Sequence, residues 1–156
     1  MDMLTLRAGS YLASDQTVDL TCQCLGISKC CATGSCTGVA LNGHGKVFFN
    51  GFGSVLRVTI LPGEMRKFNN GFVVAWSSNP ELELSPGCAG NSCLGSICIG
   101  EGIALKITNQ SKVPQVVYVQ TRSLRRFAKW LQPYIWPSGS GGTEKGGKDD
   151  QDRDNN

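Results

Sequence analysis

Two stretches of this chain, 62 residues apart, follow the same plan. Gly9-Ser-Tyr-Leu-Ala13 and Gly71-Phe-Val-Val-Ala75 each place a glycine four residues before an alanine, with mostly apolar residues between. Each leads into a short alternating segment, Thr17-Val-Asp-Leu20 or Glu81-Leu-Glu-Leu84, and then into a cysteine-rich loop. Each loop is followed by a matching strand, Gly38-Val-Ala-Leu41 or Gly102-Ile-Ala-Leu105, and by an apolar run, Lys46-Val-Phe-Phe49 or Gln115-Val-Val-Tyr-Val119. So long a period belongs to a duplicated supersecondary unit, not to a fine solenoid repeat. Two such units, each apolar on one face, bury those faces against one another.

The alternation has a period of two, and its residues are β-branched and aromatic, so the units are read as strands. Candidate strands cover Ser10–Ala13, Thr17–Cys22, Gly38–Leu41, Lys46–Asn50, Ser54–Leu61, Met65–Phe68, Phe72–Trp76, Leu82–Leu84, Gly102–Asn109 and Gln115–Gln120. Asn42-Gly43-His44-Gly45 carries the residues of a primed hairpin turn, which needs positive φ. Leu61-Pro-Gly-Glu64 is a second turn, with Pro and Gly at its centre. One segment departs from the β pattern. Leu124, Phe127, Ala128 and Leu131 recur at helical spacing, with Ser123 as N-cap and Pro133 as stop. Arg122, Arg125, Arg126 and Lys129 fall mostly on the other face. Such a helix either closes one end of the β core or lies on a membrane surface.

Composition limits the remaining choices. No apolar run approaches the ~20 residues that span a bilayer, and residues 1–7 have the pattern of neither a signal nor a transit peptide. Residues 138–156 contain no apolar side chain, so burial cannot offset the entropy of ordering them, and they read as a disordered polar tail. That tail holds five acids and three bases. Its −2, taken from the total of +3, leaves +5 on residues 1–137. A dedicated nucleic-acid binder carries a denser basic stripe. The domain reading is one β domain over residues 1–137, made of units at about 8–62 and 63–137, followed by the tail.

Several segments together resemble a known family. They are Gly9-Ser-Tyr-Leu-Ala13, Gly45-Lys-Val-Phe-Phe49 with Gly53, Pro62-Gly-Glu64, Gly71-Phe-Val-Val-Ala-Trp76 and Gly100-Glu-Gly102. Val119-Gln-Thr-Arg-Ser123 and Phe127-Ala-Lys-Trp-Leu131 complete the set. In order and spacing, over about residues 8–135, they are similar to the altered inheritance of mitochondria protein 24 family and its uncharacterised bacterial members. The resemblance implies an all-β fold of repeated units forming a double-stranded β-helix or sandwich-like core. That fold is similar to the tryptophan RNA-binding attenuation protein, here with one short C-terminal helix. In eukaryotes the resemblance implies a role in mitochondrial organisation. It supplies no catalytic residue. Family members usually have three such units where this chain has about two, so an open sheet edge needs a partner or a second copy.

Eight cysteines fall in the two equivalent loops: Cys22, Cys24, Cys30, Cys31 and Cys36 in one, Cys88, Cys93 and Cys98 in the other. No Cys-x-x-Cys pair is present, so the usual zinc knuckle is missing, although two loops meeting in space can still share a metal. Disulfides need an oxidising compartment, and nothing N-terminal directs secretion. The leading reading is therefore reduced thiols, with no cofactor. Zinc and disulfides remain the alternatives, and the metal ligands, if any, are unknown. The single histidine, His44, sits in a turn with no orienting acid nearby in sequence. Glu81 and Glu83 read as a solvated strand face, and Glu64 as a turn residue.

The function expected from these features is that of a non-enzymatic scaffold or interaction protein, self-associating or bound to a protein partner. The alternative is a binding module for RNA or an anionic membrane surface acting through the basic face. Between those two ligands, peripheral membrane contact is expected ahead of nucleic acid. The expected location is mitochondrial in a eukaryote and cytoplasmic in a bacterium.

Overall fold

The structure is a computed structural model that describes residues 3–69, 71–88 and 103–135. The tail at 138–156, Cys93, Cys98 and the start of the Gly102 strand lie outside the described residues. Among the described residues, eleven strands and two helices follow in order: β1 Leu4–Arg7, β2 Tyr11–Ser14, β3 Val18–Cys24, α1 Gly26–Thr33, β4 Thr37–Gly43, β5 Val47–Phe49, β6 Val55–Ile60, β7 Met65–Asn69, β8 Val73–Ser77, β9 Leu82–Cys88, β10 Ile103–Asn109, β11 Gln115–Gln120 and α2 Leu124–Ile135. The fold is all-β, as expected, and every described pairing is antiparallel.

The pairings themselves repeat. In the first half β1 pairs β4, β4 pairs β3, and β2 pairs β5. In the second half β7 pairs β10, β10 pairs β9, and β8 pairs β11. Each pairing of β1–β5 thus recurs six strands later. Two further pairings, β1 with β8 and β11 with β6, join the halves into one six-stranded sheet ordered β3-β4-β1-β8-β11-β6. A three-stranded sheet, β7-β10-β9, and the β2-β5 pair complete the fold.

The large sheet is covered on both faces near its middle. On one side Ile60, Val73, Trp76 and Val117 meet Leu82, Leu84, Leu105 and Ile107 of the three-stranded sheet. On the other, Leu6, Leu41 and Ala75 meet Tyr11, Val47 and Phe49 of the β2-β5 pair. There the Phe49 ring meets Tyr118 edge-on at 5.1 Å. Strand β8 lies at the centre, with all five residues buried. That is why Phe72-Val-Val-Ala-Trp76 reads as an unbroken apolar run instead of alternating.

All ten candidate strands occur, with ends shifted by a few residues. The differences are informative. Strand β1, absent from the sequence reading, lies between β4 and β8 at the sheet's centre. Strand β9 continues through Pro86 to Cys88, past the expected end at Leu84. It is an edge strand, where a residue without an N–H is tolerated. Asn42–Gly45 does not close a hairpin. It links β4, in the large sheet, to β5, whose partner is β2. The local residues supply the turn, but sheet packing chooses the partner. Leu61–Glu64 is a turn as expected, closed by the Glu64 N–H on the Leu61 carbonyl at 3.0 Å.

Part of the first cysteine loop is helical, α1. Helix α2 starts at Leu124 as expected but runs through Pro133 to Ile135. Proline removes the N–H that would bond the Lys129 carbonyl. This happens in the final turn, so the helix ends two residues later rather than breaking.

A buried polar knot ties β10 to the β6 end. The fully buried Asn109 side chain donates from Nδ2 to the carbonyls of Ile60 and Val113, both at 2.9 Å. Its Oδ1 accepts from the Ser111 N–H at 3.0 Å and the Ser111 hydroxyl at 2.6 Å. All four of its hydrogen-bonding directions are used, so its burial leaves no unpaired polar atom.

Candidate functional site

Three of the segments that carry the family resemblance, at Gly9, Gly71 and Gln120, meet at one end of the large sheet; Gly100-Glu-Gly102 lies outside the described residues. The end begins with a turn, Arg7-Ala8-Gly9-Ser10, closed by the Ser10 N–H on the Arg7 carbonyl at 3.1 Å. Gly9 has φ 82°, the conformation a type II turn requires at its third residue and one that only glycine adopts without strain. The turn delivers Ser10 beside Asn50, whose N–H donates to the Ser10 carbonyl at 2.7 Å.

Gln120, at the end of β11, binds three chain segments together. Its backbone N–H donates to the Phe72 carbonyl at 2.8 Å. Its side-chain Nε2 donates to the Gly71 carbonyl at 2.7 Å, and its Oε1 accepts from the Phe52 N–H at 2.8 Å. Arg7 Nη1 donates to that same Gly71 carbonyl at 3.1 Å. The next residues extend the junction. The N–H groups of Thr121 and Arg122 donate to Ser54 and Phe52 carbonyls at 2.9 and 3.1 Å. The Thr121 hydroxyl accepts from the Ser54 N–H at 3.0 Å. Ser123, buried, caps α2: its carbonyl accepts from the Phe127 N–H at 3.0 Å. Gln120-Thr-Arg-Ser123 is therefore a structural clasp that ends β11, pins the 50–54 loop and aims α2.

What the clasp presents is an exposed apolar helix face. Phe127 leans on Phe52 with ring centres 5.7 Å apart. Trp130 follows Phe127 at 6.1 Å, and Tyr134 follows Trp130 at 5.3 Å. Yet Phe127, Trp130 and Tyr134 remain 43%, 61% and 72% exposed. Among the described side chains of α2, Leu131 alone is half-buried and the rest are exposed. The helix therefore does not bury its apolar side in this fold, contrary to the expectation that it closes the β core. The Arg126 guanidinium sits over the Phe72 ring at 5.5 Å.

Beside the clasp, Arg7, Ala8, Gly9, Ser10, Asn50, Gly51, Phe52, Gln120 and Leu124 line a cleft of about 360 Å³. Burial pushes the Arg7 guanidinium below its ordinary pKa. Desolvation disfavours the charged form.

The other candidate residues do not assemble. His44 is exposed, and its carbonyl accepts from the Thr17 hydroxyl. It borders a second cleft with Leu41, Phe49 and Tyr118, and no described residue lining that cleft is acidic. Glu81 lies in the turn before β9, not on the strand, where its N–H donates to Asn79 Oδ1 at 2.8 Å. Glu83 is exposed, and its Oε2 accepts from Gln110 Nε2 at 2.7 Å. Glu64 is a turn residue, as expected. Its carboxylate accepts from the Leu61 N–H at 2.8 Å and pairs with Arg66 at 2.5 Å. These contacts, the backbone one first, hold its pKa below the usual carboxylate range.

Cys30 and Cys36 are joined by a disulfide, which the reading of reduced thiols did not anticipate. The local cause is the end of α1, where Gly34 at φ 70° donates its N–H to the Cys30 carbonyl at 2.9 Å and turns the chain back on itself. Cys22 and Cys24 are free thiols exposed on β3, and Cys31 is exposed on α1. Among the described residues no group of three or more metal-ligating side chains comes together.

Sequence reasoning missed Arg7 and Asn109 altogether. Their partners lie 64 and 49 residues away, and no local pattern marks such pairings.

The fold and the clasp define an all-β protein with an internally repeated strand pattern and a helix displayed at one end. The chain belongs to the mitochondrial biogenesis AIM24 family, whose model matches residues 1–122. Among solved structures it is similar to an X-ray crystal structure of a Streptococcus pyogenes protein. The identity is 28% and the TM-score 0.64, covering 85% of this chain and 56% of that one. The chain thus spans about half the length of that bacterial relative. No curated protein matches it.

Proposed function

We propose that this protein is a non-enzymatic β scaffold that works through contact, with α2 as its principal contact surface and self-association as its mode. The observation that carries this reading is the exposed row Phe127, Trp130 and Tyr134, held in place by the Gln120 clasp. Exposed aromatic rows of this kind mark interaction sites. The edge strand β6 adds to it. It starts next to the clasp and exposes Val55 and Leu56 beside a sheet edge that no described strand pairs, which is a template for a further strand. Family membership supports a role in mitochondrial organisation if the source is eukaryotic, and a cytoplasmic location if it is bacterial. Light scattering after size exclusion tests the proposal. A mass of two or more chains is expected, and a strictly monomeric protein at all concentrations overturns self-association.

A second reading has its own observation. Trp130 and Tyr134 lie beside the bases Lys129, Arg126 and Arg122, the composition of a helix that lies in a membrane interface. Anionic membrane is the ligand this reading favours over RNA. Co-sedimentation with anionic vesicles that weakens as salt rises is the expected result. Equal binding to neutral vesicles, or none to either, overturns it.

A further inference from the structure

We propose that the cleft at Arg7 is a binding site for a phosphate group. Three features of the cleft converge on an anion. First, Arg7 is half-buried, uses Nη1 on the Gly71 carbonyl, and has no ion pair to a carboxylate among the described residues. Its other guanidinium donors remain for a ligand. A desolvated cation without a counter-charge is costly where it stands and gains from an anion brought to it.

Second, the lining adds neutral donors and no acid. Ser10 and Asn50 border the cleft, and no Asp or Glu is among its lining residues. Third, α2 begins at the rim, where Leu124 lines the cleft. The first turn of that twelve-residue helix contains no acidic residue, so its N-terminal N–H groups and its dipole favour negative charge there.

The number of donor groups favours phosphate over carboxylate. Arg7, Ser10, Asn50 and the start of α2 all border the cleft, and a tetrahedral oxyanion presents enough oxygens to serve several of them. A planar carboxylate offers two.

The phosphate can come free in solution or on a lipid headgroup, and the test separates these sources. Equilibrium dialysis of the full chain against radiolabelled inorganic phosphate, at constant ionic strength, reads the free form. Flotation with phosphatidylcholine vesicles containing phosphatidic acid reads the lipid form. Phosphatidylglycerol vesicles of matched charge, which lack a phosphomonoester, control for the general basicity of α2. Saturable binding in either arm, weakened about tenfold or more by Arg7→Met and by Asn50→Asp, is expected from the loss of a charge-assisted contact or the gain of a repelling charge. Asn50 is exposed, so Asn50→Asp tests the site even where Arg7→Met disturbs folding. Three results overturn the proposal: no saturable binding in either arm, binding indifferent to Asn50→Asp, or equal competition by succinate. Phosphatidylglycerol binding as strong as that of phosphatidic acid would also overturn it, while leaving the membrane reading of α2 intact.

Discussion

Gln120 and Gly71 are joined across 49 residues by one side-chain hydrogen bond, Nε2 to carbonyl at 2.7 Å. That bond closes the first turn of the second repeat onto the last strand of the fold. Gln120 is buried; without its side chain the Phe52 N–H loses its acceptor, while the Gly71 carbonyl keeps only Arg7. Gln120→Ala is expected to cost about 1–3 kcal/mol, the range for leaving one such backbone group unpaired. Urea denaturation followed by tryptophan fluorescence checks this, and Gln120→Glu, which keeps the acceptor, is expected to fall between wild type and Gln120→Ala.

Asn109→Leu fills a similar volume but removes both donors and the acceptor. The Ile60 carbonyl and the Ser111 groups lose partners in a dry site. The expected loss is about 3 kcal/mol or more, among the larger effects of a single substitution. A thermal melt that shows little change would contradict the assigned network.

Glu64 makes acid stability readable. Its folded pKa is held down first by the Leu61 N–H and then by Arg66. A carboxylate with a depressed folded pKa contributes stability that is complete above its unfolded pKa. That contribution is lost as pH falls through the folded pKa. Glu64→Gln is expected to flatten the acid limb of the stability–pH curve and to leave its slope near neutrality unchanged. Because the pair is exposed, the effect is small, and a matched pH series of urea midpoints is the suitable measurement.

The α2 face separates folding from contact. Trp130→Ser and Tyr134→Ser alter side chains that are mostly exposed, so stability is expected to stay within about 0.5 kcal/mol. Self-association is expected to fall in the same variants. A stability loss of several kcal/mol would mean instead that this face is buried within the monomer.

The Cys30–Cys36 bond has a direct chemical readout. Non-reducing peptide mapping is expected to find the two cysteines in one linked fragment, with Cys22 and Cys24 alkylated. Complete alkylation of Cys30 and Cys36 without reductant would contradict it. Reduction is expected to lower the melting temperature modestly, since the closed loop is short and little chain entropy is restrained.

Much of the β pattern was legible because burial follows period two. Leu82 and Leu84 are buried while Glu81 and Glu83 are exposed, and alternation alone separates them. Strand β1 was not legible. Leu4-Thr-Leu-Arg7 is four residues long, and its place at the sheet centre comes from β4 and β8 on either side. Helix α1 was missed because Gly26-Ile-Ser-Lys-Cys-Cys-Ala-Thr33 has no apolar stripe. The apolar spacing of α2 was read correctly, but spacing does not say whether a face is covered.

By itself the sequence determined the all-β class, the approximate positions of ten of the strands, and the repeated order of elements. Those follow from side-chain alternation, turn residues and local backbone preference, which act over a few neighbours. Only the tertiary structure decided which strands pair, that β8 is buried on both faces, and that Arg7, Ser10, Asn50 and Gln120 share one cleft. It also decided that the aromatic face of α2 is left open. Those outcomes depend on contacts between residues tens of positions apart, where hydrogen-bond satisfaction and apolar burial choose among partners that look equivalent along the chain.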